Sequence, residues 1–578
     1  MTARSVSNYS ALILAVMRRL VIVVFVLAFA LSRAQEVSQS GLQIEAPRPM
    51  VSQPERAPTA MVATVSEPAT RAGIEILGKG GNAVDAAVAI AFALAVVHPE
   101  AGNLGGGGYM LIRMADGRTL AIDYRETAPP AAHPEMFKDR MEARVGYKAS
   151  AVPGTVAGLA VAHARFGSLS WHEVLDPARR LAEHGFLVSY RMELILPLQV
   201  PVMKRFPETA RIFLHGADRP LRQGEMLRQP ELAATIRRLQ RNGWREFYEG
   251  ETARRIAADM AANGGTITLE DLKQYRAVEL APLRGTYRGY QVLTMPPSSA
   301  GGMALLEMLN ILERFPMRLG MEGSAESRHL MIEAMKRAYR DRARYAGDPA
   351  FVTIPVERLT SKDYAAELAA GIRLDRATPL AELGEAPSAS AEESGSTTHF
   401  SVVDKAGNIV SNTYTLNDFY GSQVIARGTG VLLNDIMSSF STQPGSPNAL
   451  APGKRPASSM APVILLHSDG RPWVALGSPG GMTIANTLLQ VIVNLVDYRM
   501  SLRDAIEFPR IHHQFTPDRV DAEPGALPLE VAEKLRSWGH TINPRFRAQG
   551  DVHAILVEDS GWRQGWSDGR RGGRAQGM

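Results

Sequence analysis

The chain has 578 residues, 45% of them hydrophobic, which is ample apolar material for a large folded core. It contains no Cys, so a thiol nucleophile, a disulfide framework and a Cys-ligated metal site are all excluded. The formal charge of +5 rests largely on Arg4, Arg18, Arg19 and Arg33, which stand in the first 34 residues with no acid beside them. The remainder is close to neutral, and no broad basic surface for nucleic acid is implied.

Arg18-Arg19 precede an apolar run, 20–31, and Ser32-Arg33-Ala34 places small residues at the two positions a signal peptidase reads. This pattern predicts a cleaved secretory signal over 1–34 and a secreted, periplasmic product. Met17 is an alternative start, since 17–34 is already a complete signal. The run is shorter than the ~20 residues that cross a bilayer, so no stable membrane span is expected. Residues 35–58 read as a mobile leader to the mature fold.

From Met61 the chain alternates strand-like and helix-like pieces, with a strand over 61–65 and helices over 68–77 and 82–97. The second helix is almost wholly apolar and predicts burial on most sides. Segments 109–113 and 119–123 alternate around Asp116-Gly117, a hairpin signal. Residues 150–345 read as mostly helical: 157–163, 171–184, 230–240, 252–262, 304–313 and 324–345. Segment 381–396, poor in anything to bury, predicts an exposed stretch tolerant of cleavage. After Thr397 the pattern turns strand-like over 400–404, 409–416, 430–433, 461–466 and 473–477. Helices at 483–496 and 502–508 follow, then strands at 519–522 and 551–557. The mixture predicts an α+β fold of antiparallel sheets covered by helices. The Arg- and Gly-rich 569–578 reads as a frayed tail.

Three groups of residues carry candidate chemistry, and two more invite it without carrying it. If the chain is cut before Thr397, that residue holds a hydroxyl nucleophile and a free α-amine that titrates near ~7.7–8.0 and can serve as its base. Gly477-Ser478-Pro479-Gly480-Gly481 lies between a strand and a helix; the amides of Gly480 and Gly481 either stabilise an oxyanion or belong to an ordinary tight turn. Arg125 either grips a substrate carboxylate bidentately or pairs on the surface with Glu126 or Asp123. Gly102–Gly108 lacks the Gly-Lys-Ser/Thr ending of a phosphate loop, so close backbone packing explains it better. No metal site is expected at His512-His513, because adjacent strand side chains face opposite ways.

These residues resemble the γ-glutamyltransferase (glutathione hydrolase) family of N-terminal-nucleophile hydrolases over nearly the whole mature chain. The likeness is carried, in family order, by 81–87, 102–108, 152–158, 295–299, 397–404, Lys454-Arg455-Pro456 with Ser458-Ser459-Met460, and 477–481. The resemblance implies a four-layer αββα sandwich and a proenzyme that cleaves itself between Ser396 and Thr397. The products would be a large subunit, 35–396, and a small one, 397–578, kept together as one interwoven heterodimer. Thr397 would then attack a γ-glutamyl amide such as glutathione, with Gly480 and Gly481 holding the oxyanion and Thr415 supporting the nucleophile. The acyl group would pass to water or to an amino acid or peptide amine. Arg125, Ser458 and Ser459 match residues that grip the α-carboxylate, and Asn417 one that meets the α-amine. No cofactor or metal is implied.

One stretch departs from the family. Where glutathione-processing members carry an acid, this chain reads Asn434-Asp435-Ile436-Met437-Ser438-Ser439-Phe440, with Ser439 at the expected aspartate and Ile436 at a polar amine-binding position. An ammonium without its carboxylate partner loses roughly 1.5–3 kcal/mol, tenfold or more in affinity. A glutaryl-type acyl group, as in related cephalosporin acylases, is therefore the alternative donor. The short connection from Phe440 to Lys454 predicts that the lid over the glutamyl pocket is missing.

Overall fold

The computed structural model describes residues 53–216, 218–384, 396–443, 445–544 and 548–578. The signal and most of the leader, with 385–395 of the expected cleavage-tolerant stretch, lie outside the described residues. Ser396, at the end of that stretch, is fully buried rather than exposed.

Fourteen strands form two central sheets. In chain order they are β1 (Glu55–Ala57), β2 (Met61–Thr64), β3 (Gly107–Arg113), β4 (Thr119–Asp123), β5 (Val278–Leu280), β6 (Leu283–Tyr287) and β7 (Tyr290–Thr294), then β8 (Thr398–Val403), β9 (Ile409–Thr415), β10 (Val463–Leu466), β11 (Pro472–Leu476), β12 (His553–Val557), β13 (Arg563–Ser567) and β14 (Arg574–Gly577). One sheet runs β1-β13-β12-β11-β10-β7-β6 and the other β14-β2-β8-β9-β3-β4-β5, every pairing antiparallel.

Alternation along the strands makes the layers. Val62, Met110, Ile112, Phe400, Val402 and Val410 face outward toward helices Glu67–Gly78, Ala83–Val97 and Thr155–Phe166. Their neighbours Met61, Ala63, Tyr109, Leu111, Val403 and Ile409 face the other sheet. That sheet's far side is covered by Ala300–Leu312, Ala325–Tyr345 and Ile484–Val496. The result is the four-layer αββα sandwich. Helix Ala83–Val97 is buried along its whole length, as its apolar sequence predicts. Its start is fixed by a capping box: Asn82 accepts from the amides of Val84 and Asp85, and Asp85 accepts from the amide of Asn82.

Three further readings are corrected. The end of the leader read as mobile is strand β1, paired with β13. The stretch read as mostly helical contains β5, β6 and β7, and also an unforeseen helix, Tyr190–Met203, that holds Pro197 and Pro201 in its interior. The C-terminal residues are no frayed tail: β14 pairs with β2, and the carbonyl of Met578 accepts from the Thr59 amide at 3.0 Å. An edge strand needs only backbone groups to join a sheet, so Arg and Gly composition hides it.

Candidate active site

Thr397 stands at the head of β8 and is 4% exposed. The β8–β9 register sets Thr398 opposite Tyr414, and the next step brings Thr397 to Thr415. The Thr397 hydroxyl donates to Thr415 Oγ1 at 3.2 Å, and Thr415 Oγ1 also accepts from the Asn417 amide at 2.9 Å. Asn417 turns the chain at a φ of 87°, in the left-handed region that Asn tolerates.

The Asn417 side chain is fixed by its neighbours. Its Nδ2 donates to Ser438 Oγ at 3.0 Å and to Asp435 Oδ2 at 3.2 Å, so its Oδ1 faces Ser439, whose hydroxyl donates to it at 3.1 Å. Asp435 also accepts from the Asp418 amide at 2.8 Å. Burial, and then the nearby Asp418, push the Asp435 carboxyl well above the usual range. The connection after Phe440 is drawn in tightly: Lys454 Nζ donates to the carbonyls of Pro447 and Ala449, and Asn448 donates to that of Ser439.

Arg125 follows β4 and is 2% exposed. Its Nη1 lies 3.2 Å from Glu126 Oε2, so the pairing weighed for the surface exists but is buried. Glu126 rests against Gly107, where a Cβ would come within 2.7 Å of its carboxylate. Burial raises the Glu126 carboxyl to about 7, with Arg125 opposing the shift. Residues 125–128 run beside the segment that carries the paired serines: Arg125 Nε reaches the Pro456 carbonyl at 3.5 Å, and the Ala128 amide donates to Lys454 O at 2.9 Å. Ser458 Oγ accepts from the Met460 amide, and the Ser459 hydroxyl donates to Met482 Sδ at 3.8 Å, next to Gly480-Gly481.

Gly480 and Gly481 adopt φ of 134° and 56°, and neither amide has an acceptor among the described residues. Gly477 lets this turn lie on β8, since a Cβ there would meet the His399 ring at 2.3 Å. The Gly102–Gly108 run serves close packing, as expected: a Cβ on Gly105 or Gly106 would fall within 2.2 Å of the Leu432 or Thr415 carbonyl.

Hydrogen bonds thus link Thr397, Thr415, Asn417 and Ser439 at one end of β8 and β9, while Arg125, Ser458 and Ser459 gather along the segment that leads to Met482 beside Gly480-Gly481. The structure also adds residues that the sequence reading missed. Arg571 donates from Nη1 to the Thr397 carbonyl at 3.0 Å, and its amide donates to Asp551 Oδ1 at 3.2 Å. Only the pairing of β14 places it there. Among the described residues, His329, Glu333 and His540 lie close enough to share a metal ion. However, Arg337 and Lys336 already face Glu333, and His329 Nδ1 is 2.8 Å from His540 Nε2, so the group is held by its own contacts. His512 bonds Asn486, and His513 faces Asp518.

A gamma-glutamyltranspeptidase family model matches residues 69–578. The chain is 43% identical over 533 residues to the glutathione hydrolase proenzyme of Escherichia coli K12, a match covering 89% of this chain and 91% of that protein. It is 41% identical over 514 residues to the acylase ACY 1 proenzyme of Pseudomonas sp. SE83, covering 87% and 90% respectively. A solved cephalosporin acylase from Bacillus halodurans has the same fold, with a TM-score of 0.84, 29% identity, and coverage of 93% of this chain and 98% of that one. On sequence and fold alike, the chain belongs to the gamma-glutamyltranspeptidase family.

Proposed function

We propose that the protein is an exported, self-processing γ-glutamyl hydrolase and transferase of the glutathione hydrolase type. The observation that carries this reading is the buried Thr397–Thr415 hydroxyl pair on adjacent strands. Self-cleavage joins the Thr397 hydroxyl to the Ser396 carbonyl carbon, breaks the peptide C–N bond, and leaves an ester that water opens. The freed α-amine then serves as base for the same hydroxyl when it attacks a γ-glutamyl amide. The Gly480 and Gly481 amides receive the developing oxyanion, and the acyl-enzyme passes its group to water or to an amine. Arg125, Ser458 and Ser459 hold the donor's carboxylate. The large and small chains remain a heterodimer, and the periplasm is the site of action.

A second reading rests on a separate observation. The Ser439 hydroxyl already satisfies Asn417 Oδ1, so an acyl group without an α-amine leaves no polar atom stranded. An aspartate at this position would instead need an ammonium. Glutaryl-type amides are therefore the competing donors, in keeping with the acylase ACY 1 relative.

The test is the ratio of kcat/KM for γ-glutamyl-p-nitroanilide and glutaryl-p-nitroanilide on the processed protein. A γ-glutamyl preference of about tenfold or more supports the first reading. A glutaryl preference supports the second.

A further inference from the structure

The Ser396–Thr397 bond lies against a buried polar cluster that the acyl-transfer chemistry leaves unused. The Glu100 carbonyl accepts from the Ser396 hydroxyl at 2.6 Å and from the Tyr420 amide at 3.1 Å. The Glu100 carboxylate lies 3.1 Å from His98 Nδ1 and 3.2 Å from Arg191 Nε. His98 and Glu100 are 4% and 1% exposed. On the other side of the bond, Arg571 holds the Thr397 carbonyl and lies within electrostatic reach of His98, as do Asp551 and His553. His98 Nε2, Glu100 Oε1, Arg191 Nε, Tyr420 Oη and His553 Nδ1 have no hydrogen-bond partner among the described residues. Unpartnered buried polar atoms are the usual setting for bound water.

Self-cleavage has a need that later turnover lacks. Until the bond breaks, the Thr397 nitrogen is a peptide amide and cannot act as a base. Burial, and then Arg191 and Arg571, hold His98 well below the ordinary imidazole range, so the ring is neutral. Glu100 Oε1 lies 3.1 Å from Nδ1 without completing a hydrogen bond, and a neutral ring that carries its proton on Nδ1 leaves the lone pair on the unpartnered Nε2.

We propose that His98, buried beside Glu100, accepts the Thr397 hydroxyl proton through a bound water during self-cleavage. This rests on the reading of Thr397 as the self-cleaving nucleophile. As Oγ bonds to the Ser396 carbonyl carbon, its proton passes through water to Nε2. The C–N bond then breaks, and the proton returns to the departing nitrogen, giving an ester and a free amine. A further water adds across the ester, leaving the Ser396 carboxylate and restoring the hydroxyl. From then on the amine is the base.

The experiment follows full-length chain synthesised in a cell-free system as it converts into two chains on a denaturing gel. It compares wild type, His98→Gln, His98→Gly with and without imidazole, and Thr397→Ala. Both His98 variants are expected to mature roughly 100-fold more slowly, as loss of a general base predicts. Imidazole should speed His98→Gly and not His98→Gln. Turnover per cleaved small chain should fall far less than maturation. Wild-type maturation of His98→Gln overturns the proposal, and so does a His98→Gly precursor that imidazole leaves slow. If His98→Gly is recovered only as insoluble chain, the rate of His98→Gln decides. Cleavage of Thr397→Ala would instead overturn the nucleophile assignment, whatever the His98 variants do.

Discussion

At the scale of single residues, the proposed donor preference turns on two carboxyl positions, one present and one missing. Glu126 is the present one. With its carboxyl raised to about 7, it is largely neutral below that pH and leaves Arg125 its full charge for a donor carboxylate. Above that pH the ionised Glu126 competes for the guanidinium and repels the incoming anion. KM for a carboxylate-bearing donor should therefore rise severalfold as pH passes upward through about 7, and Glu126→Gln should flatten that rise. Steady-state kinetics from pH 6 to 8.5 check this, and an equal rise in both proteins contradicts it. Ser439 marks the missing one. Ser439→Asp should shift the γ-glutamyl to glutaryl ratio by about tenfold toward γ-glutamyl, the worth of one charge-assisted bond. An unchanged ratio means that the amine is recognised elsewhere.

At the scale of elements, the site exists because strands and turns approach more closely than ordinary side chains allow. Gly477 sits where β11 ends above the His399 ring, and His399 in turn bonds Thr413 and Ser401 between the sheets. Gly477→Ala should destabilise the fold by about 1–3 kcal/mol through overpacking, seen as a lower denaturation midpoint. An unaltered midpoint would show that the His399 ring yields freely. Much of this was legible in the sequence. Alternation from Phe400 to Val403 and the Gly-rich turn at 477–481 announce themselves locally, and so does the apolar helix over 82–97. What was not legible depends on partners far along the chain. β14 has no apolar alternation, and its register comes from β2, roughly 500 residues away. Arg571 near Thr397 follows from that pairing. The strands at 278–294 pass for loop or helix because their exposed positions carry polar residues and only one face packs. The Asn417–Ser439 bond needs two turns to meet, which no spacing in the sequence encodes.

At the scale of the whole molecule, the bond between Ser396 and Thr397 divides the chain without dividing the fold. In one sheet β2 lies between β14 and β8, so a strand from before the bond is flanked by two from after it. In the other, β1 and β7 bracket four later strands. Each chain alone would expose sheet edges and an apolar layer. The processed protein should therefore run as one species on a sizing column, with both chains in equal amounts, and separate only in denaturant. Dissociation in native buffer would contradict the interwoven account. Among the described residues no helix is long and apolar enough to cross a membrane.

The central claim is that one hydroxyl, that of Thr397, both cuts the chain and turns over substrate. The most direct measurement is the intact mass of the chains from purified wild type and Thr397→Ala, taken together with their activity. The account predicts that wild type is cut between Ser396 and Thr397 and active, while Thr397→Ala stays whole and inert. An active wild-type protein that is uncut, or a Thr397→Ala variant cut at the same bond, would contradict it.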